Sequence, residues 1–431
     1  MTNQNEDTRR LAPFMTLWTG QALSLFGSQA VQFALIWWLT LQTGSAAILT
    51  TATLVGLLPQ VVLGPVIGTL VDRWNRKPIM LLSDAGVALA SLVLAVLFLQ
   101  ESAGVPAVFA ALFARALGSA FHAPAMLASS SLMVPPQHFT RIQGLNQALQ
   151  GALAIAGAPA GALLYAILSM AGVMLVDAVT AVIAITPLLF IRIPAVERSS
   201  PAATAAGGVW SETLAGLTYL RARRGHTALV LIAASINLFV VPAFSLLPLF
   251  VQEDLGGSAM TLAWMTSLFG IGMVAGGIVL ASWGGFGRRI LTTLTGIMGL
   301  GAAVLVLGTS PQTPIAIAAG ALFAVGAMVP FCNGPILAIL QATIQPAYQG
   351  RVFALIGSLA AATAPLGLLL AGPIAGLAGV RAWFLAGGII ALAMAVVGFL
   401  TPALVRIEET GAAPAAETVA PLTNSHADGS D

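Results

Sequence analysis

Apolar residues run along this chain in long blocks, separated by short stretches that hold the charges and the turn formers. A helix needs about 20 mostly apolar residues to cross the hydrocarbon core of a bilayer. Twelve blocks qualify: 14–40, 47–71, 78–99, 105–129, 142–167 and 171–191, then 226–251, 260–283, 290–309, 314–341, 352–377 and 382–405. Many of the 45 glycines and 24 prolines lie inside them, which a helix in lipid tolerates better than one in water. The pattern predicts an all-α membrane protein of twelve transmembrane helices.

The breaks between blocks repeat. Arg76-Lys77 after the second block corresponds to Arg288-Arg289 after the eighth, and His122-Ala123-Pro124 to Asn333-Gly334-Pro335. Pro136 and Arg141 correspond to Pro346 and Arg351, and Pro159-Ala160-Gly161 to Pro365-Leu366-Gly367, at an offset of about 210 residues. Two pseudo-symmetric six-helix bundles follow, 14–191 and 226–406, with a cytoplasmic segment at 1–13, a linker at 192–225 and a disordered tail at 407–431. In the linker, Ser199-Ser200-Pro201 to Gly208 reads as flexible. Trp210, Leu214, Leu217 and Leu220 then recur at helical spacing before Arg221, Arg223 and Arg224, which suits a helix in the headgroup layer or an ordinary connector. Parallel repeats are the plan of a transporter that rocks about a central site.

Charge fixes the expected orientation. Arg9, Arg10, Arg73, Arg76, Lys77, Arg141 and nine further cations fall in one set of connections, and Arg381 alone in the other. By the excess of positive charge on cytoplasmic loops, both termini are expected in the cytoplasm. Over the whole chain, 58% of 431 residues are apolar and 7% charged, against roughly 25% charged in soluble proteins. Disorder and nucleic-acid binding are excluded on that figure. The single cysteine, Cys332, precludes an internal disulfide or a thiolate cage, and the four histidines show no ligand spacing. No metal and no cofactor are expected. The first block is too long for a cleavable signal and lacks a small-residue cleavage site. Neither a phosphate-binding Gly-x-x-x-x-Gly-Lys-Ser/Thr loop nor a reactive cluster occurs, so the chain reads as a transporter and not an enzyme.

The connection after the second span, Gly68 to Asp72-Arg73-Trp74-Asn75-Arg76-Lys77, resembles the signature loop of the major facilitator superfamily. Gly68 would let helices approach, Asp72 would face a helix N-terminus, and Arg73, Arg76 and Lys77 would reach carboxylates across the half-interface, together latching one conformation. The family's second glycine is Asn75 here, and the corresponding acidic position in the second half is Gly284. Within the superfamily the chain resembles the drug:proton antiporter group that includes macrolide-efflux proteins, enterobactin exporters and lysophospholipid carriers. That resemblance rests on Gly20 to Ser24 with Ile36-Trp37-Trp38-Leu39-Thr40, on Val71 to Lys77, on Ala114-Arg115 through Ser119-Ala120-Phe121-His122-Ala123-Pro124, and on Gly350-Arg351-Val352-Phe353-Ala354-Leu355. It implies export of hydrophobic or amphipathic compounds driven by protons. Gly151, Gly157, Pro159 and Gly161 in span 5 are similar to the glycine-proline pattern of such antiporters, and equally suit plain close packing.

Ionisable groups inside a span cost about 2.5–3.5 kcal/mol on insertion scales, which makes each a functional candidate. Arg115 in span 4 and Asp177 in span 6 lie at depths that differ by only a few ångström, at about 1.5 Å per residue. They suit either a proton-coupling pair in which Asp177 is protonated and released, or a fixed structural ion pair. His122, two turns from Arg115, is a candidate relay or a simple hydrogen-bonding residue. Asp84, seven residues past Lys77, reads as a partner of Arg73 or Arg76 in the latch, with a proton site as the alternative.

For substrate, Gln21, Ser24, Ser28 and Gln32 form a polar stripe on one face of span 1, with Asn237 and Asn333 as counterparts in the second half. Phe33, Trp37, Phe239 and Phe331 would supply an apolar wall. Hydrogen bonding between helices is the alternative use of the same glutamines. The sequence thus points to a monomeric, proton-coupled exporter of small hydrophobic compounds in the lipid bilayer of a bacterial inner membrane. Siderophore or lysophospholipid transport, or a receptor that no longer transports, are the other readings.

Overall fold

The computed structural model describes residues 2–193, 218, 223–309, 314–344 and 346–410. Among the described residues, twelve long helices make up the body. The first six are α1 (Thr2–Thr43), α2 (Ala46–Arg73), α3 (Arg76–Leu99), α4 (Val105–Met133), α5 (Phe139–Ile167) and α6 (Met170–Phe190). The second six are α7 (Arg224–Leu249), α8 (Ala259–Trp283), α9 (Arg289–Thr309), α10 (Ile315–Thr343), α11 (Pro346–Ala378) and α12 (Val380–Leu400). Eleven of them are long and apolar enough to cross a membrane, and α11 contributes the apolar segment Ala362–Ala378.

Two expected boundaries move. Helix α1 begins at Thr2, so the segment expected at 1–13 is continuous with the first span. At the other end the chain stays helical beyond 406, through α13 (Pro402–Val405) and α14 (Ile407–Thr410). Glu409 accepts from Arg288 at 2.8 Å and Glu408 accepts the Arg289 backbone N–H at 3.1 Å, tying that turn to the start of α9. The linker helix expected around Trp210 and the tail from 411 lie outside the described residues.

Local chemistry explains where the helices start and stop. Ser45 and Asn75 cap α2 and α3 by accepting backbone N–H groups of Ile48 and Lys77, and Ser258 with Thr261 forms a reciprocal capping box on α8. Asn75, the residue that departs from the family's glycine, is therefore what starts α3. Helix α8 ends at Gly284, whose φ of +83° is left-handed and suits glycine far better than any other residue.

The sequence repeat is reproduced in packing. α1 packs on α5 and α6, α3 on α4 and α6, and α2 on α4; the same pairs recur six helices later as α7 with α11 and α12, α9 with α10 and α12, and α8 with α10. The halves meet through α2 with α11 and α5 with α8, which are one contact seen twice under that correspondence. Small residues make the closest crossings possible. Within the second half, a Cβ on Gly276 would sit 2.8 Å from the Ala327 carbonyl carbon, with rigid backbone on the facing helix. Gly276→Leu is expected to lower the melting temperature of the purified protein far more than Gly277→Leu, whose Cβ would meet nothing within 4 Å.

Among the described residues, side-chain hydrogen bonds join the halves toward the end away from the arginine-bearing connections. There Thr53 of α2 and Ser245 of α7 share a hydrogen bond of 2.8 Å, and Ser245 also donates to the Leu49 carbonyl at 3.1 Å. At the same end a π-helical turn, Phe250–Asp254, finishes α7. Asp254 in that turn accepts from Arg381 Nε at 2.5 Å, and the guanidinium lies over the Phe250 ring.

Candidate transport site

Four helices converge on one carboxylate. Asp177 of α6 is 1% exposed and pairs directly with Arg115 of α4, itself 6% exposed. Ser28 of α1 donates to Asp177 Oδ1 at 2.9 Å, and Ser91 of α3 donates to Oδ2 at 2.5 Å. The guanidinium also donates to Ser91 Oγ at 3.0 Å and to the Ser28 carbonyl at 3.2 Å. Burying two charges is costly unless the remaining lone pairs and protons find partners; the two serines supply them for the carboxylate, while Arg115 Nε has no partner among the described residues. The similar depths read from the sequence thus correspond to direct contact.

Arg115 also lines the large cavity between the halves, a space of about 750 Å³ bounded by α1, α2, α3, α4 and α7. Its polar wall includes Ser28, Gln29, Gln32, Gln60 and Ser119, and its apolar wall Ile36, Leu112 and Phe244. An adjoining chamber of about 260 Å³ lies between α1, α5, α7 and α8 and shares Gln29, Gln32, Ile36 and Phe244 with it. Sites for small molecules are commonly about 300–1,000 Å³, mostly apolar with a few placed polar groups, and the large cavity has that character. A recess of about 110 Å³, lined in part by Gln21, Ser24, Asp84 and His122, adjoins the large cavity at Leu25 and Ser28 of α1.

The loop after α2 acts within its own half in this conformation. Lys77 Nζ donates to the carbonyls of Leu189 and Ile191, each at 3.0 Å, and so caps the end of α6, a favourable place for a cation. Arg73 is exposed, and no described residue accepts from Arg76 Nε or Nη1. The side chain of Asp72 lies outside the described residues. Among the described residues, Gly68 meets nothing within 4 Å where a Cβ would stand, so none of them makes the close approach expected there. Asp84 does not partner Arg73 or Arg76. It accepts from Gln21 Nε2 at 2.8 Å and faces His122 Nε2 at 3.5 Å.

A family model described as Major Facilitator Superfamily matches residues 17–360 and, again, 229–425. The chain belongs to the major facilitator superfamily. It is 35% identical over 388 residues to macrolide efflux protein A of Streptococcus pyogenes, covering 89% of this chain and 94% of that protein. It is 30% identical over 382 residues to the multidrug efflux pump Tap of Mycolicibacterium fortuitum, covering 85% and 90%. Its fold matches the crystal structure of the peptide transporter POT in complex with sulfate, with a TM-score of 0.70 at 15% identity over 93% of this chain and 95% of that one. As a member of the superfamily it is a multi-pass membrane transporter related to efflux pumps, and not an enzyme.

Of the residues expected around the substrate of this major facilitator protein, Ser28 and Gln32 line the large cavity and Phe33 the adjoining chamber. Gln21 and Ser24 face the small recess instead. Several aromatic and asparagine assignments do not hold in this conformation. Trp37 is 3% exposed within the core. Phe239 stacks on Trp383 at 5.0 Å, its carbonyl accepting the indole N–H, beside a narrow apolar pocket of the second half. Phe331 is buried near Trp283, with a ring separation of 6.3 Å. Asn237 donates to the Ala233 carbonyl of its own helix at 3.0 Å. Asn333 is exposed and lines none of the cavities described. Sequence reasoning missed Ser91, the second serine on Asp177, and Gln29 and Gln60 on the cavity wall. Gln29 carried a signal, since it lies next to Ser28 and one turn before Gln32.

Proposed function

We propose that this protein exports small hydrophobic or amphipathic compounds, macrolides among them, in exchange for protons, by alternating access in a bacterial inner membrane. Carrying this reading is the position of the Arg115–Asp177 pair at the wall of the large cavity, joined to it through Ser28. A proton arriving on Asp177 removes the charge that holds Arg115, and Ser28 and Ser91 then lose a charged acceptor. The four helices that converge there are thus given a reason to repack on protonation. With both termini in the cytoplasm, as the arginine-bearing connections suggest, the Thr53–Ser245 end faces outward and is closed, and the cavity is placed for loading from within. The relatives' names, a macrolide efflux protein and a multidrug efflux pump, support the substrate class. The proton is then carried by Asp177, with Arg115 as its permanent counter-charge. His122 faces Asp84 rather than Arg115 and takes no part in this step.

One proton crossing about 150 mV supplies about 3.5 kcal/mol, which sustains a solute gradient of a few hundredfold. In proteoliposomes, uptake of a labelled macrolide against its gradient is expected when an acid-inside pH difference is imposed across inside-out protein, whose cytoplasmic face lies outside, and is expected to cease when nigericin collapses that difference. Uptake indifferent to nigericin would replace the antiporter with a uniporter. A complete lack of uptake, with the macrolide still bound, would favour a receptor.

A further inference from the structure

The small recess beside Ser28 belongs to neither the Arg115–Asp177 pair nor the loop after α2. Its one formal charge is Asp84, which is 8% exposed. Gln21 donates to Oδ2, while Oδ1 faces only His122 Nε2, at 3.5 Å and without a hydrogen bond. The cations nearby are committed elsewhere. Arg115 holds Asp177, and Lys77 holds the end of α6. Arg76 sits eight residues earlier on the same helix, about 12 Å away along its axis. Asp84 is therefore a carboxylate inside a membrane-spanning bundle with no permanent cation among the described residues. Such a charge is expensive to hold there, and a cation that visits it is correspondingly favoured.

The recess opens toward the large cavity: Leu25, Ser28, Val87, Ser119 and Ala123 line both. A molecule lodged in the large cavity can therefore send one arm past Ser119 to Asp84. Gly118 and four serines keep the walls short, and about 110 Å³ is the volume of three to four waters at about 30 Å³ each, near that of a methylated ammonium group. We propose, on the basis of the export reading above, that this recess is a subsite for the ammonium head of cationic amphipathic substrates. Asp84 supplies the counter-charge, and Gln21 and His122 orient it. The apolar body of the substrate remains in the large cavity, so the protein prefers a basic compound to its uncharged isostere.

The test uses two dansyl probes, one ending in a dimethylaminopropyl arm and one in its uncharged isobutyl-type isostere, titrated into the purified full-length protein in nanodiscs. The amine is expected to bind about tenfold tighter, the size of one charge-assisted hydrogen bond, and Asp84→Asn is expected to bring that ratio to about one. Wild-type protein gives a second arm that needs no variant. Tetramethylammonium chloride is expected to displace the amine probe and leave the neutral one in place, while equimolar sodium chloride displaces neither. Equal affinities in the wild type, or a ratio unchanged by Asp84→Asn, overturn the subsite and leave the export reading standing. Binding of neither probe overturns both.

Discussion

Asp177→Ala is expected to destabilise the protein by about 3–5 kcal/mol, because it strands Arg115 as a buried, uncompensated charge. It would be read as a large fall in melting temperature in detergent. Ser28 and Ser91 would lose their acceptor as well, which removes ties to α1 and α3 at the same time. The double variant Arg115→Met with Asp177→Leu separates stability from transport. It replaces the ion pair by apolar side chains of similar volume, a change that is often neutral or stabilising, so most of the lost melting temperature is expected to return. Export driven by a pH difference is expected to stay at background in both variants. Were the double variant to transport like the wild type, the pair would be a structural brace and the proton site would have to be sought elsewhere.

The second large effect concerns the closed end of the bundle. Thr53 and Ser245 oppose each other across the halves with their oxygens 2.8 Å apart, near enough that cysteines at both positions fall within reach of a disulfide. The single native cysteine, Cys332, is buried and does not compete. Under oxidation the pair Thr53→Cys and Ser245→Cys is expected to bring transport to background, with full recovery on addition of dithiothreitol, since alternating access requires this contact to part. Substrate binding to the cross-linked protein is expected to persist, because the large cavity is already present in this conformation. Transport that continued through the cross-link would rule out opening at Thr53 and Ser245.

The architecture was legible because lipid leaves few options: blocks of sufficient length had to be helices, and their repeated breaks already implied paired halves. Arg115 and Asp177 were legible for a similar reason, since depth in a bilayer is one coordinate that sequence provides. What it does not provide is rotation about the helix axis. Trp37, Phe239 and Phe331 were assigned by type to a cavity wall, yet Trp37 is buried in the core, and Phe239 and Phe331 lie against Trp383 and Trp283 of their own half. Asp84 was assigned to its neighbours along α3, while its partners come from α1 and α4, helices whose placement beside it no spacing along α3 encodes. Asn237 shows another limit, for a polar side chain in a helix can be satisfied by the carbonyl one turn back. Ser91 left no trace because a serine in a membrane helix is common, and only the company of Asp177 gives it meaning.

Between Thr53 and Ser245 the seal consists of two alcohols and a peptide oxygen. None of these atoms ionises near neutrality, and none carries a charge that dissolved ions would shield. Under the orientation proposed above, the salinity and acidity of the external medium therefore have no direct grip on this contact, in contrast to the Asp254–Arg381 ion pair at the same end.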